Sequence, residues 1–258
     1  MKLCDGVHIV GGGAWGVQLS NTFDCNVYVI ESEGHAALID AGIGLEVNKI
    51  LSSISAIGVS PKQVEYIFVT HCHVDHSGGL AELKRITGAR AVSSAPCARA
   101  IEQRDQDVLL ESVMREQYSG LRNWAFEPTE VDLVVEDGAT VQIGAGTVTS
   151  IASPGHSEGH VAYLWTPDAG APALFSGDCV FFGGTILLQN VAGCSIEAYA
   201  ETLRRLTQMG EIELLLPGHM LFALRHGASH IRISADAFAD YRVPPNVDIP
   251  HAALGLSG

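Results

Sequence analysis

Thr70-His71-Cys72-His73-Val74-Asp75-His76-Ser77-Gly78-Gly79 follows directly on the apolar run Glu65-Tyr66-Ile67-Phe68-Val69, and the junction between the two decides the fold. A short β-branched and aromatic run reads as a buried strand. Gly78-Gly79 cannot continue it comfortably, so the chain is expected to turn there. The strand therefore delivers His71, His73, Asp75 and His76 to its tip. Neutral imidazole nitrogens and carboxylate oxygens are the donors that Zn²⁺, Fe²⁺ and Mn²⁺ take. Crowded together without a cation they would be left unsatisfied, which favours a metal cluster over a solvated loop.

Donors of the same kind recur at the ends of later strand-like runs. His156 stands in Ser153-Pro154-Gly155-His156-Ser157-Glu158-Gly159-His160, Asp178 in Phe175-Ser176-Gly177-Asp178, and His219 in Leu216-Pro217-Gly218-His219. His160, four residues after His156, is expected to support the loop rather than to bind metal. His226 and His230, four apart on an expected helix, are read as solvated or packed, and His8, His35 and His251 show no partner in the sequence.

The rest of the chain alternates strand-like and helix-like segments. Val7 to Val10 is apolar and precedes Gly11-Gly12-Gly13-Ala14-Trp15-Gly16, which satisfies G-x-G-x-x-G, with Glu31 twenty residues after Gly11. A dinucleotide site would need a helix next and then a parallel strand. Instead Asn26 to Ile30 and Ala36 to Asp40 are separated by a short turn, which makes an antiparallel hairpin. The glycines are therefore expected to form a loop with Trp15 at the rim of the site. Helices are expected over Leu45 to Ile57, Gly79 to Thr87, Ser195 to Met209 and Ala228 to Tyr241, and a strand over Ala89 to Ser93. Val131 to Val135, Thr140 to Ile143, Thr147 to Ala152, His160 to Thr166 and Ala173 to Ser176 read as a strand meander, with Glu213 to Leu216 as a last strand. Between Pro96 and Glu127 the sequence is charged and helix-prone. It can be two packing helices or a lid over the metals.

The 258 residues are 47% apolar, enough for one large core. With Asp+Glu at 29 against Lys+Arg at 15, the formal charge of −14 opposes binding to a phosphate backbone, so nucleic acid is not an expected partner. No secretory leader and no apolar run long enough for a membrane span is visible, so a cytoplasmic protein without a membrane partner is expected. The six cysteines form no C-x-x-C pair and read as free thiols. Cys72 and Cys179 are expected to pack away from the ligand face.

His71-x-His73-x-Asp75-His76 resembles the signature of the metallo-β-lactamase superfamily. Asn26 to Gly42 resembles its opening N-x-Y-hh…L-I-D-x-G, and the stretches around His156, Asp178 and His219 resemble its later motifs, so the likeness runs from about Asn26 to about His219. The resemblance implies an α/β fold, a four-layer αββα sandwich in one domain over 1–258, with pseudo-symmetric halves at about 1–127 and 128–258. It implies two divalent metal ions, zinc first and iron or manganese as alternatives. His71, His73 and His156 would hold one, Asp75, His76 and His219 the other, and Asp178 would bridge.

Such a pair makes hydroxide available near neutral pH, which implies a hydrolase attacking the carbonyl of a small ester, lactone or thioester with a bridging hydroxide. Asp75 is the carboxylate best placed to move the proton. Alternatives on the same site are a phosphodiesterase, a β-lactam hydrolase and an iron-dependent persulfide dioxygenase. Asp178 argues against β-lactamases of the superfamily, which usually lack the bridging Asp. In the superfamily's lactonases a Tyr stands three residues after it, and here that position is Phe181. Trp15, Trp124, Phe181 and Phe182 are the expected aromatic rim. The expected partner is a small-molecule substrate, and self-association as a homodimer is left open.

Overall fold

The computed structural model of the chain describes residues 1–247. His251 and the rest of the expected 1–258 domain beyond Val247 lie outside the described residues. The first sheet contains β1 (Lys2–Cys4), β2 (Val7–Gly11), β3 (Val27–Ser32), β4 (His35–Ile39), β5 (Val64–Phe68), β6 (Arg90–Ser93) and β7 (Leu133–Val134), in that spatial order. Its first three pairings are antiparallel and its last three parallel. Parallel neighbours need crossovers, supplied by α1 (Val47–Ala56) before β5, by α2 (Val74–Ser77) and α3 (Leu80–Thr87) before β6, and by α4 (Ala95–Gln103) and α5 (Glu111–Gln117) before β7. The second sheet holds β8 (Thr140–Ile143), β9 (Gly146–Ala152), β10 (Val161–Thr166), β11 (Ala173–Gly177) and β12 (Leu214–Pro217). It is an antiparallel meander up to β11, and β12 then pairs parallel to β11 through the crossover α6 (Ile196–Leu206). The last described helix is α7 (Gly227–Ala239).

Strand alternation sorts the apolar residues into three layers. On β3, Val27 and Val29 face α1, α3 and α4, whereas Tyr28 and Ile30 face the second sheet. Phe68, Tyr163, Trp165 and Phe175 fill the space between the sheets. Leu174, Ala162 and Leu215 point outward to Tyr199, Leu203 and Ile231 on α6 and α7. Three buried layers between two sheets and two helical faces make the four-layer αββα sandwich.

The pairing of β2 with β3 is antiparallel, and no helix follows Gly11-Gly12-Gly13, so the nucleotide-binding geometry is absent from this segment. Two expectations change. The strand near Val131 to Val135, expected in the second-half meander, is the edge of the first sheet: Leu133 pairs with Val92, and the Asp132 carboxylate accepts the Ala91 N–H and meets Lys84 at 2.6 Å. Gly78 and Gly79 are glycines for a different reason than a turn. Both have negative φ, but a Cβ on Gly79 would run into Ala41 O and one on Gly78 into Ile43 O. The ligand loop packs that closely on the end of β4.

α5 is held to the end of α4 by a buried charge. Glu111 receives Arg104 through two contacts, Nη2 to Oε1 at 2.6 Å and Nε to Oε2 at 3.0 Å, and also accepts the Phe126 N–H. Burial raises the Glu111 carboxyl, but Arg104, Phe126 and Arg115 outweigh it and the group is lowered. A carboxyl lowered by folding stabilises above its unfolded pKa of about 4.3 and loses that contribution as pH falls. Glu111→Ala, which strands the Phe126 N–H, should cost about 1–3 kcal/mol at pH 7 and less at pH 4, as read from chemical denaturation at the two pH values.

Candidate metal centre

Every candidate ligand stands just past the C-terminal end of a strand. His71 and His73 follow β5, Asp75 and His76 lie on α2 directly after them, His156 follows β9, Asp178 follows β11 and His219 follows β12. β9, β11 and β12 run in the same direction, so their ends share one edge of the second sheet. Hydrogen bonds hold that edge against the first sheet. Asn26 N–H donates to Gly218 O at 2.6 Å, Tyr28 Oη–H to Pro217 O at 2.7 Å, and Val161 N–H to Thr70 O at 2.7 Å. A Cβ on Gly218 would lie 2.5 Å from Asp178 Oδ1, so only glycine lets this turn approach the cluster.

The seven residues come together in overlapping groups: His71, His73 and His156; His71, His76 and Asp178; and Asp75, His76 and His219. Within each group the donor atoms lie within 4.8 Å of one another. His71 Nε2 and His156 Nε2 both stand 3.0 Å from His73 Nδ1. His219 Nε2 is 3.1 Å from Asp75 Oδ2 and 3.3 Å from His76 Nε2.

The surrounding network fixes which nitrogens carry lone pairs. His156 Nδ1–H donates to Leu187 O at 2.9 Å, leaving Nε2 as an acceptor. His76 Nδ1–H donates to Asp40 Oδ2 at 2.9 Å, which turns Nε2 inward. Thr70 gives its backbone N–H and its hydroxyl to Asp40, so the Thr70 oxygen accepts from His71 Nδ1–H at 3.1 Å. Nε2 of His71, His76 and His156 is thereby left as the inward nitrogen of each ring, and the buried Asp178 Oδ1 has no hydrogen-bond partner, with His76 Nε2 3.5 Å away. Such a site suits a divalent cation and is costly without one. The residues fit the metal pair that the donor set implies.

The electrostatics divide the donors. Burial, with His156 beside it, pushes the His73 imidazole down to about 3. Burial and the neighbouring imidazoles likewise hold His71 well below its usual value. Asp75, against the effect of its burial, is drawn down to about 2 by His76 and His219, and Asp178 is drawn well below the carboxylate range by His219 and His76. Around His76 burial opposes charge, while Cys25, Asp178, Asp75 and Asp40 favour it and win.

Asp40 was not singled out as a site residue by its position in the sequence. Its only signal was its place in the L-I-D-x-G stretch, and its partners are 30 and 36 residues away. Cys25, Asp40 and His76 also cluster, but Asp40 already accepts from Thr70 and from the outward nitrogen of His76, which makes it the support of that ring. His160 supports the loop as expected: its Nε2 accepts the Asp178 N–H at 3.1 Å, and its other nitrogen donates to Ser153 Oγ. His226 and His230 join none of the donor groups among the described residues, and His230 Nδ1 accepts the Gly183 N–H. Cys72 and Cys179 are buried in the apolar layers.

The cleft above the donors has a volume of about 210 Å³ and is walled by Trp15, Leu110, Val113, Met114, Tyr118 and Leu187. Trp15 thus stands at the rim, edge-on to His219 at 5.4 Å. Three other expected rim residues do not. Phe181 is buried in the core, Phe182 packs on His230, and Trp124 packs on Phe126. Cys179, Val180 and Phe181 are all buried after β11, so the apolar wall of the cleft comes mainly from the segment between β6 and β7. That segment divides: α4 buries Cys97, Ala98 and Ile101 in the core, and residues 110–118 wall the cleft.

Fold and donor set define a class before any comparison. The family model of the metallo-beta-lactamase superfamily matches residues 21–243, and the chain belongs to that superfamily. Among curated proteins it is 25% identical to an atrochrysone carboxyl ACP thioesterase of Aspergillus fumigatus, over 83% of this chain and 55% of that protein. It is 29% identical to an acyl-coenzyme A thioesterase of Homo sapiens over 75% and 72%, and 28% identical to a hydroxyacylglutathione hydrolase of Albidiferax ferrireducens over 71% and 58%. The chain thus spans little more than half the length of the first and third. Among solved structures a metallo-beta-lactamase of Cronobacter sakazakii superposes with TM-score 0.72 at 22% identity, covering 93% of this chain and 95% of that one. That likeness is one of fold. No described helix is long and apolar enough to cross a membrane.

Asp40 has φ of 63°, a conformation asparagine tolerates and alanine does not. Asp40→Asn should therefore keep the backbone and lower metal affinity about 10- to 100-fold, measured by chelator competition. A cation and a proton compete for His76, so metal uptake should release protons and weaken as pH falls, measured by titration calorimetry in buffers of different ionisation enthalpy.

Proposed function

We propose that this chain is a dinuclear metal-dependent hydrolase of small acyl thioesters or esters. The observation that carries the reading is the seven-donor cluster with the unpartnered Asp178 Oδ1 at its centre. His71, His73 and His156 would hold one ion, Asp75, His76 and His219 the second, and Asp178 would bridge. Zinc suits this His and Asp set, and iron or manganese take the same donors. Bound there, the ions supply Lewis acidity and make hydroxide available near neutral pH.

The chain's own residues do the rest. Leu110, Val113, Met114 and Leu187 offer an apolar wall to the acyl portion and exclude water from it. Asp75 faces both His219 and the cleft, where a carboxylate can carry the proton between nucleophile and leaving atom. Among the described residues the cleft lining contains no Lys or Arg, which favours a neutral carbonyl over a phosphodiester, whose charge such residues would meet. The thioesterases and the hydroxyacylglutathione hydrolase among its relatives support thioester cleavage within this class. The substrate is a small molecule, and a homodimer is the assembly we would test first.

Purified protein should hold about two transition-metal ions per chain and lose activity and thermal stability on chelation. Asp178→Ala should lower that stoichiometry and cost orders of magnitude in kcat. Assays of acyl thioesters, aryl esters, lactones, cephalosporins and bis-aryl phosphates should rank the thioesters and esters highest by kcat/KM. A phosphodiester turning over well above every carbonyl substrate would overturn the reading.

A further inference from the structure

One phenol lines the cleft among the described residues. Tyr118 ends α5, with its backbone N–H on Met114 O at 3.0 Å. Its ring is 5% exposed and is fixed against Phe23, with centroids 5.3 Å apart. It lines the 210 Å³ cleft and also a small side cavity, and in both Trp15, Asp75 and His219 are its neighbours. Tyr118 therefore stands on the side of the cluster formed by Asp75 and His219.

The influences on its hydroxyl are burial and the negative charge of Asp75, and both oppose ionisation. The phenol stays a donor at neutral pH. Of the other uncharged donors in the wall, Trp15 Nε1 is sealed in with no hydrogen-bond partner, and Gln117 and Gln189 carry their amides on flexible side chains. Tyr118 is thus the one rigid hydroxyl that the described residues bring to the cleft.

We propose that Tyr118 is a catalytic residue whose phenolic O–H donates a hydrogen bond to the atom that leaves the scissile carbonyl. The proposal rests on the carbonyl-hydrolase reading. As the bond to that atom breaks, negative charge grows on it, and a donor already held in place by Phe23 stabilises that charge without reorganising. The demand is greatest for a poor leaving group, because more charge accumulates before separation, and slight for one that leaves readily.

Tyr118→Phe keeps the ring packing and removes only the donor. Wild type and Y118F, both zinc-loaded and with metal content measured, would be compared on one acyl group attached to ethanethiol, to ethanol and to p-nitrophenol. The expected result is a loss in kcat of about 10- to 100-fold on the alkyl leaving groups, little loss on p-nitrophenol, and unchanged KM and metal content. Calorimetric titration with N-acetylcysteamine, a thiol standing for the departing product, should show about tenfold weaker binding to Y118F. An equal loss on all three substrates, no loss on any, or equal thiol affinity overturns the role of Tyr118 and leaves the hydrolase reading standing. A wild-type enzyme that cleaves none of them overturns the hydrolase reading, and the proposal falls with it.

Discussion

The structure depends on a convergence of lone pairs that has no reason to exist without positive charge. His71, His73 and His156 present ring nitrogens to a common point, and Asp178 adds a buried oxygen with no partner. Burying such groups is expensive, and the fold spends much of its hydrogen bonding on holding them there. Thr70 and Asp40 orient His71 and His76, Leu187 O orients His156, and His160 holds the Asp178 backbone. A donor cluster supported on this scale suits cations.

The sandwich makes that convergence geometrically cheap. Each ligand stands just beyond a strand's C-terminal end, where the chain must leave the sheet anyway and the strand behind it is rigid. Parallel steps, β4 to β5 in one sheet and β11 to β12 in the other, bring successive ends to the same edge. Tyr163 Oη–H donates to Val69 O across the core, and Asn26 N–H donates to Gly218 O at the mouth. These contacts lock the two edges together at the height of the cluster. The long segment between the sheets then anchors one part, α4, in the first apolar layer and extends the other, residues 110–118, over the cleft. One insertion thus supplies both packing and the wall that selects what reaches the donors.

The acidic surface and the site are different problems. A chain with net charge −14 would repel anions at long range, but two divalent ions would leave the mouth at about +1 against two carboxylates and a hydroxide. Field at the cleft would then be set locally by the ions and the residues holding them, and among the described residues the lining is otherwise mostly apolar, without Lys or Arg.

The sequence alone determined most of the elements and the set of candidate donors, because both are local or patterned. Alternating apolar runs with glycine and proline between them mark the strands, and His71, His73, Asp75 and His76 lie within six residues, a density that few other purposes explain. His156, Asp178 and His219 were legible because each repeats the pattern of a strand followed by a ligand. What only the tertiary structure decided involves contacts between distant segments. Asp40 reaches His76 across 36 residues, a relation that no local spacing encodes. Phe181 and Trp124 look like rim aromatics by composition but are turned into packing, whereas Tyr118 becomes cleft wall because α5 is pinned by Arg104 and Glu111. Side-chain direction at a strand exit or a helix end depends on what packs behind it, and that is settled only when the layers close.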